Sequence, residues 1–368
     1  MDVRIRPERL TETFCRLVEI DSPSYGEAAM AAALREKLEA LGFSVEPCGC
    51  PEGGTTPNLF ARLPGVGEPV LLCAHMDTVE PSRGKKARVE PDGTIRSAGN
   101  TVLGADDLAA VASILEAVTA LREQGIPHRP VELLLSAAEE AYCIGASCFD
   151  FSRVTAKEAY VPDMDAPMGY AAVSAPAMFD FTVTVHGHAS HAGFAPEQGV
   201  SAICAAAQAI GELPNGRVDS RTTLNFGTIS GGTATNIVPE RCTVTGELRS
   251  FDEPFARELL ERVENTFRQA AAARGARVEF EKRCLFHTYS VPDSAPSVRN
   301  YSRACRELGL EPVFTRTFGG SDNNWLTYHG IPGIVIASAM HNCHTCDEFT
   351  TQKELTQCAK ILASLLCG

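Results

Sequence analysis

The sequence predicts an α/β domain that is interrupted by a smaller, inserted α+β domain. Apolar strands alternate with helices up to about residue 137 and again after about residue 290, a pattern typical of layered α/β domains with a largely parallel sheet. From about residue 177 the elements instead follow the order β-α-β-β-α-β, which is the signature of a ferredoxin-like unit. A chain of 368 residues also has the length of about two domains. We therefore expect residues 1–175 and 290–368 to form one domain and residues 176–289 to form the insertion.

Hydrophobic spacing places the elements of the α/β domain. Leu10, Phe14, Leu17 and Val18 recur on one face of an amphipathic helix. The run PVLLCA is apolar throughout, as in a strand that is buried on both faces. The predicted elements are helices 8–19, 26–41, 106–123, 295–308 and 351–366, and strands 57–63, 69–74, 131–137, 312–315 and 333–337.

The inserted domain has a different period. The run FDFTVTV (179–185) alternates apolar and polar residues, as an antiparallel strand with one solvated face would. The elements predicted after it are a helix at 197–211, strands at 222–230 and 240–249, a helix at 254–274 and a strand at 277–283.

Composition and charge exclude several classes of protein. The chain has 33 Lys and Arg against 46 Asp and Glu, a net charge of -13, and no basic stretch stands out, so we expect no nucleic acid partner. Its 44% hydrophobic and 21% charged residues are typical of a folded globular protein rather than a disordered or fibrous one. No apolar run approaches the roughly 18 residues of a membrane span, so no membrane partner is expected. The N-terminal stretch lacks the features of a signal peptide, and a cytoplasmic location is therefore expected.

The fourteen cysteines are spread along the whole chain. In a reducing compartment we expect most of them to be free, buried thiols. Cys343 and Cys346 form a CxxC pair, but it follows a late strand and no second CxxC accompanies it. A redox or structural zinc function is therefore the weaker alternative for this segment.

Residues that can bind a metal follow two of the predicted strands. His75 and Asp77 come directly after strand 69–74, and Glu139 and Glu140 follow strand 131–137. Ligands of open α/β sheets bind outside the carboxyl ends of the strands, so these side chains are expected near one another. The ordinary alternative is a solvated loop, since a single His-x-Asp or Glu-Glu pair carries little weight alone.

Three more pairs extend this set. Asp106 and Asp107 start the predicted helix, where carboxylates commonly act only as caps. The others are Asp163 and Asp165, after the apolar run 159–161, and His341 and His344, after strand 333–337. Such a mixture of imidazole and carboxylate groups suits zinc, manganese or cobalt in a dinuclear hydrolytic site.

Several segments resemble a known enzyme family in sequence and order. They are LLCAHMDTVEP, SAGNTVLGADDLAAVASILEA, the EE of SAAEEAYCIGA, VHGHASHAGFAPEQGVSAI, GGTATNIVPE, GELRSFD, GGSDNNW and HTCDEF. The chain resembles the co-catalytic zinc metallopeptidases, which include aminoacylase, carboxypeptidase G, succinyl-diaminopimelate desuccinylase and peptidase T, and it is most similar to the peptidase T branch. The resemblance implies a phosphorylase/hydrolase-like catalytic domain, an inserted ferredoxin-like lid that mediates dimerisation, and hence a homodimer.

The resemblance also implies which residues bind the metal. Asp106 would bridge two divalent ions, with zinc as the first choice and cobalt or manganese as alternatives. His75 and Asp163 would complete the ligands of one ion, and Glu140 and His344 those of the other.

Two of these assignments choose between neighbours. Asp163 is preferred to Asp165 because it lies directly at the predicted strand end. His344 is preferred to His341 because it lies four residues before Glu348, as in the HTxxE ending of the family.

The remaining implied residues act on the substrate. Glu139 would be the general base, and Asp77 would orient the imidazole of a ligand. His191 would stabilise the oxyanion from the inserted domain; its alternative is an ordinary loop histidine. Three further features would bind substrate. Arg249 would anchor a carboxylate, with a surface salt bridge as its alternative, and Asn236 would contact the substrate across a dimer. Gly319 and Gly320 would form a loop that lines the pocket, with a plain turn as the alternative.

The sequence thus predicts a peptidase T-like aminopeptidase that acts on short peptides. An N-acyl amino acid deacylase on the same site is the enzymatic alternative, and a catalytically silent binding protein is the alternative from another class. Tyr142 stands where the family commonly has glycine, and Leu108 where peptidase T relatives commonly have a basic residue. Both differences bear on which substrate fits.

Overall fold

The chain forms two compact units. In the computed structural model, which describes residues 3–367, the larger unit comprises residues 3–174 and 290–367, and the smaller unit comprises Ala175–Tyr289. The boundary expected at 175/176 lies one residue from this division. Among the described residues, no helix is both long and apolar enough to cross a bilayer.

The larger unit contains most of the secondary structure. Its helices are α1 (Pro7–Val18), α2 (Ala28–Ala40), α3 (Ala105–Glu123), α4 (Ile144–Ser147), α7 (Pro296–Glu307), α8 (Asp322–Tyr328) and α9 (Gln352–Cys367), with a 3-10 turn at Phe151–Arg153. Its strands are β1 (Ser44–Pro47), β2 (Leu59–Leu63), β3 (Val70–His75), β4 (Ala87–Val89), β5 (Thr94–Ser97), β6 (Val131–Ser136), β7 (Ala159–Met164), β8 (Tyr170–Ala175), β14 (Tyr289–Ser290), β15 (Val313–Arg316), β16 (Gly333–Ala337) and β17 (Phe349–Thr351).

A mixed sheet forms the centre of this unit. Its strand order is β1-β2-β6-β3-β7-β16-β8-β14, with β15 beside β8. The middle strands β6, β3, β7 and β16 are parallel, and so are β8 and β15. The pairs β1–β2, β2–β6 and β16–β8 are antiparallel, so the sheet is mixed, with the expected parallel strands at its centre. Every residue of β3 and β6 is buried, which agrees with their mainly apolar sequences. A separate small sheet contains β17, β5 and β4.

The smaller unit has the predicted ferredoxin-like order. Its elements are β9 (Ala177–His186), a 3-10 turn at Pro196–Gln198, α5 (Ala202–Gly211), β10 (Gly216–Arg217), β11 (Thr222–Gly231), β12 (Arg241–Ser250), α6 (Glu253–Ala272) and β13 (Arg277–Phe286). The antiparallel sheet runs β10-β11-β12-β9-β13. The alternate apolar residues of β9, Phe179, Phe181, Val183 and Val185, are buried against α5 and α6, as their period predicts.

Two predictions about single elements were wrong, and one helix was not predicted. The helix expected at 197–211 is a 3-10 turn followed by α5, because Gly199 is extended and Ser201 caps the new helix by accepting from the Cys204 N–H at 3.2 Å. The glycine-rich segment before Trp325 continues into α8, which Ser321 begins with a capping box. Asp163 lies within β7 rather than after it, because the strand continues to Met164.

Candidate metal centre

The central parallel strands bring the metal-binding candidates to one edge of the sheet. His75 is the last residue of β3, and Asp163 lies near the end of the adjacent β7. Glu140 follows β6, and His344 lies in the segment after β16. Asp106 lies at the start of α3, where its backbone angles are not helical. Residues from five distant stretches of sequence therefore converge at the carboxyl ends of parallel strands, where open sheets bind ligands.

Asp106 lies between two histidines. Its Oδ1 is 3.0 Å from His75 Nε2, and its Oδ2 is 3.2 Å from His344 Nε2. His344 Nε2 is also 3.1 Å from Glu140 Oε2. The two oxygens of one carboxylate thus face two separate imidazoles, which is the arrangement of a bridging ligand.

The five residues form two overlapping groups. One contains His75, Asp106 and Asp163, and the other contains Asp106, Glu140 and His344. Within each group the candidate ligand atoms lie within 4.8 Å of one another. Asp106 is common to both groups.

The neighbouring candidates pair with other residues. Asp165 Oδ1 lies 3.6 Å from His341 Nδ1, and His341 Nε2 lies 2.9 Å from Glu354 Oε2. Neither Asp165 nor His341 belongs to the two groups around Asp106. The geometry therefore favours Asp163 and His344 over these neighbours.

Burial and charge shift the pKa values within the cluster. Burial raises the pKa of Asp163, and the charge of Asp106 raises it further. Burial likewise raises the pKa of Glu140, despite the hydrogen bond from His344. Burial also acts on Asp106, but hydrogen bonds from His344 and His75 outweigh it and lower the pKa of this carboxyl. Crowded, buried carboxylates of this kind are stabilised in their charged form by a cation.

The histidines show the complementary effect. Hydrogen bonds to Asp106 and Glu140 raise the pKa of His344 to about 11. Burial lowers the pKa of His75, but hydrogen bonds to Asp106 and Asp77 outweigh it and the pKa is raised. The carboxylates thus create a strongly negative local field that attracts positive charge.

The donor set fits two divalent cations. Each group offers one imidazole nitrogen and two carboxylates, a mixture typical of zinc and its neighbours in the first transition series. Glu140 Oε1 is buried, and nothing within residues 3–367 donates a hydrogen bond to it. A buried carboxylate oxygen that lacks a partner is costly, and a bound cation would satisfy it.

Asp77 organises both sides of this cluster. It is fully buried, and its Oδ1 lies 3.3 Å from His75 Nδ1. Its two carboxylate oxygens also accept from the backbone N–H groups of Glu139 at 2.9 Å and Glu140 at 3.1 Å. Ser24, which the sequence did not suggest, donates to Asp77 Oδ2 at 2.7 Å. One side chain therefore lies beside an imidazole, whose Nδ1 also faces the Asp77 carbonyl at 3.0 Å, and bonds to the backbone of both glutamates.

Glu139 is buried beside the metal-binding candidates. Burial raises the pKa of Glu139, and the charge of Asp163 adds to the effect. Cys143 Sγ donates to Glu139 Oε1 at 3.1 Å, and a carboxylate oxygen of Asp322 lies within 4.8 Å of both ligand atoms. Cys143 and Asp322 belong to segments that the sequence analysis quoted, but residue type alone did not indicate this contact.

His191 and Asn236 lie on adjacent segments of the smaller unit. The Ala192 N–H donates to the Asn236 carbonyl at 2.9 Å. His191 Nδ1 accepts from the backbone N–H groups of Gly193 at 3.1 Å and Phe194 at 3.2 Å. Because Nδ1 is an acceptor, the neutral ring carries its proton on Nε2, which is therefore available as a donor.

The other substrate-binding candidates have local partners. Arg249, on β12, donates from Nε to Glu247 Oε1 at 3.0 Å and from a terminal nitrogen to Glu247 Oε2 at 3.2 Å. This is the salt bridge that the alternative interpretation of the arginine expected. Gly319 and Gly320 form the loop before α8, in which the Gly319 N–H donates to Thr317 Oγ1 at 3.0 Å.

Tyr142 and the cysteines complete the comparison with the sequence. Tyr142 is half exposed and, like Cys143, has a positive φ, which is uncommon for residues other than glycine.

All fourteen cysteines are free, including Cys343 and Cys346, but only six are buried, so the expectation that most are buried was wrong. The buried cysteines are Cys48, Cys73, Cys143, Cys242, Cys305 and Cys358.

Comparisons with known proteins find peptidase families and relatives that span nearly the whole chain. Residues 176–276 match the family model of the peptidase dimerisation domain (M20_dimer), and residues 58–171 match that of peptidase family M28. The chain is 34% identical over 366 residues to the uncharacterized protein YqjE of Bacillus subtilis, covering 98% of each protein. It is similar to the crystal structure of aminopeptidase PepT from Bacillus cereus, with a TM-score of 0.92, 35% identity and coverage of 99% of this chain and 98% of that one. A tripeptidase from Staphylococcus aureus gives a TM-score of 0.94 and 32% identity, covering 98% of each chain.

The fold and site define a peptidase-like protein with an α/β unit, an inserted ferredoxin-like unit, and a cluster of histidines and carboxylates suited to two cations. The chain belongs to the M20 metallopeptidases, in their peptidase T-like group. The predicted fold class and the predicted enzyme class, a peptidase, are confirmed.

Proposed function

We propose that this peptidase is a dinuclear metal-dependent aminopeptidase that removes residues from short peptides. The arrangement of Asp106 carries this proposal, because its two oxygens face His75 and His344 and so can bridge two cations. Zinc is the first choice, with cobalt or manganese as alternatives that the same donors accept. The names of the Bacillus cereus and Staphylococcus aureus relatives, aminopeptidase and tripeptidase, favour short peptides as substrates.

The residues present would divide the chemistry among them. His75, Asp106, Asp163, Glu140 and His344 would hold the two cations, which when bound acidify a water molecule and polarise the scissile carbonyl. Glu139 would accept the proton of the attacking water and deliver it to the leaving amine nitrogen. Its buried position, which raises its pKa, suits a carboxyl that takes up a proton during the reaction.

Residues of the smaller unit would act on the substrate. His191 would donate its Nε2 proton to the oxygen that becomes negative in the tetrahedral intermediate. Asn236, whose segment is hydrogen-bonded to that of His191, would contact the substrate beside it. Arg249 would bind a substrate carboxylate by exchanging its contact with Glu247, since a guanidinium binds carboxylates through paired hydrogen bonds. Gly319 and Gly320 would line the pocket on the larger unit.

We also propose that the chain forms a homodimer through the smaller unit. Residues 176–276 match a dimerisation domain. The far half of β11, including Ile229, extends beyond its pairing with the short β10 and is exposed. Such a strand edge readily pairs with another chain.

A hydrolysis screen tests the aminopeptidase proposal. The purified protein is freed of metal with a chelator, reloaded with zinc, cobalt or manganese, and given di- and tripeptides or N-acetyl amino acids. We expect amine release from peptides with a free N-terminus only after reloading. Preferential hydrolysis of N-acetyl amino acids would instead establish the deacylase alternative, and no hydrolysis under any condition would support a silent binding protein.

The variant Glu139→Gln tests the assignment of the general base. Glutamine keeps the shape of the side chain but cannot accept a proton, so kcat should fall at least about 100-fold. Isothermal titration calorimetry should still find two cations bound per chain. The exposed Glu52 provides the matched control, since Glu52→Gln removes the same charge from an exposed loop and should leave kcat unchanged. Full activity of Glu139→Gln would refute the assignment.

A further inference from the structure

Glu348 makes a contact that the proposed reaction does not use. It is buried, and its two carboxylate oxygens each accept a backbone N–H from a distant part of the chain. Oε2 accepts from Gly104 at 2.7 Å, and Oε1 accepts from Asp106 at 2.9 Å. Both distances lie within the ordinary range for N–H···O hydrogen bonds.

The contact satisfies backbone groups that the helix itself leaves free. Gly104 is the N-cap of α3, and its own residue type offers no side-chain cap. Asp106 and Asp107 have non-helical backbone angles, so the first turn of α3 is irregular at the point where the bridging carboxylate is attached. The N–H groups at a helix start need outside acceptors, and a carboxylate there also interacts favourably with the helix dipole. Glu348 supplies acceptor oxygens for these N–H groups and places a carboxyl group at the helix start.

Two buried side chains pack closely against Gly104. A Cβ added at Gly104 would lie 2.9 Å from Thr78 Cγ2 and 3.3 Å from Lys85 Cε. Thr78 and Lys85 are buried, and Lys85 Nζ donates to Thr78 Oγ1 at 3.0 Å. The Gly104–Asp106 backbone therefore forms hydrogen bonds with Glu348 and packs against Thr78 and Lys85.

Glu348 also belongs to the segment that carries the other histidine. It lies four residues after His344, and its own N–H donates to the Thr345 carbonyl at 3.2 Å. The same short segment thus contributes one imidazole that faces Asp106 and the carboxylate that fixes the Asp106 backbone. A shift of Glu348 would change the separation between two proposed ligands.

We propose that Glu348 is a positioning residue that clamps the Asp106 backbone to the His344 segment and thereby sets the affinity of the site for its cations. This inference rests on the proposed dinuclear site. Glu348 is not placed as a ligand, because both of its oxygens already accept backbone hydrogen bonds. Residues that orient metal ligands commonly change metal affinity by about 10- to 100-fold when they are replaced.

The test compares Glu348→Gln with Glu348→Asp in the full chain. Glutamine has one acceptor oxygen, so one of the two backbone N–H groups would face a donor instead. We expect the affinity of the metal-free protein for Zn²⁺, measured by calorimetry, to fall about 10- to 100-fold. The visible spectrum of the Co²⁺-loaded protein should also change, because it reports the ligand geometry. Glu348→Asp keeps both acceptors on a shorter stem and should restore part of the affinity.

Asp347 provides the matched control. It is exposed and adjacent, so Asp347→Asn removes the same charge without touching the Gly104 or Asp106 N–H groups. It should leave Zn²⁺ affinity and the Co²⁺ spectrum unchanged. If the wild-type chain binds two cations and folded Glu348→Gln binds them equally well with the same spectrum, the clamp is refuted while the proposed site stands. If the wild-type chain binds no cation, the proposed site itself fails.

Hydrogen exchange of the wild-type chain covers the case in which the Glu348 variants do not fold. The amides of Gly104 and Asp106 should exchange slowly, as expected for N–H groups bonded to a buried carboxylate. Rapid exchange of both amides would overturn the proposal.

Discussion

The side chain of Glu139 accepts a hydrogen bond from a thiol. Cys143 Sγ donates to Glu139 Oε1 at 3.1 Å, and the Cys143 N–H donates to the Glu139 carbonyl at 2.6 Å. Cys143 is buried and its φ is positive, so the backbone bends back to make both contacts. Burial raises the pKa of this thiol, and the charge of Glu139 raises it further, so the thiol keeps its proton and remains a donor.

Replacing Cys143 should separate the hydrogen bond from the packing. In Cys143→Ser the hydroxyl can still donate to Glu139, so kcat should stay close to that of the wild type. In Cys143→Ala the donor is lost, and we expect kcat to fall about 3- to 10-fold with little change in KM, corresponding to a contact of about 1 kcal/mol. Steady-state kinetics and thermal unfolding measure both effects. Cys148→Ala, which removes an exposed thiol, is the control, and equal kcat values for the serine and alanine variants would contradict the prediction.

The sequence predicts the residues of the candidate site better than it predicts their supports. His75, Glu140 and Asp163 could be proposed because each has a ligand type and lies near the end of an apolar strand. Glu348 could not be recognised as a support, because its partners lie more than 240 residues earlier in the chain. The orienting function of Asp77 was implied by family resemblance, but its bonds to two backbone N–H groups depend on how β3 and β6 lie side by side.

At the scale of elements, the start of α3 is the most constrained segment of the site. Gly104 has a φ of 79°, in the left-handed region that favours glycine. Its missing side chain also leaves room for Thr78 and Lys85. Backbone conformation and close packing therefore both require glycine directly before Asp106.

The variant Gly104→Ala should measure these two requirements against a matched control. Gly53 has the same φ of 79°, but an added Cβ there meets nothing within 4 Å. Gly53→Ala should cost about 1 kcal/mol of unfolding free energy from the left-handed conformation alone. Gly104→Ala should cost about 1–3 kcal/mol more because of crowding against buried Thr78, and it should also weaken Zn²⁺ binding. Chemical denaturation and calorimetry measure these effects; equal destabilisation by the two variants would show that the packing does not matter.

Local sequence signals determine how well each element is predicted. β3 and β6 are short apolar runs and α1 has a clear stripe, so their positions follow from hydrophobic spacing. α8 was missed because its sequence, DNNWLTY, is polar and short, and its start depends on the Ser321 capping box. β1 is a four-residue edge strand with no buried residue in its pattern, so it leaves no periodic signal.

At the scale of the whole molecule, the change of hydrophobic period near residue 177 marks where one unit gives way to the other. The order of strands in the larger sheet could not be derived in the same way. β2, for example, pairs with β6, about 70 residues later, and β16 lies between β7 and β8. Such pairings depend on long-range packing rather than on any local pattern.

The smaller unit has the properties of a domain that can fold alone. Its core is formed entirely from its own residues, including Phe181, Val183 and Val244. The chain enters and leaves at one place, where Thr288 Oγ1 donates to the Ala175 carbonyl at 2.8 Å. Adjacent termini and an independent core are typical of inserted domains that fold as units.

We therefore expect the fragment of residues 175–289 to fold and to dimerise without the rest of the chain. It should show a single cooperative thermal transition by circular dichroism, because its sheet and both helices share one core. Sedimentation should give the mass of a dimer, because the outer half of β11 is an exposed strand edge. Ile229→Lys places a charge on that edge and should yield a folded monomer. Val244→Asp, which buries a charge in the core, should abolish the transition. A wild-type fragment that folds but sediments as a monomer would remove the smaller unit as the site of dimerisation, whereas one that shows no transition would refute its independence.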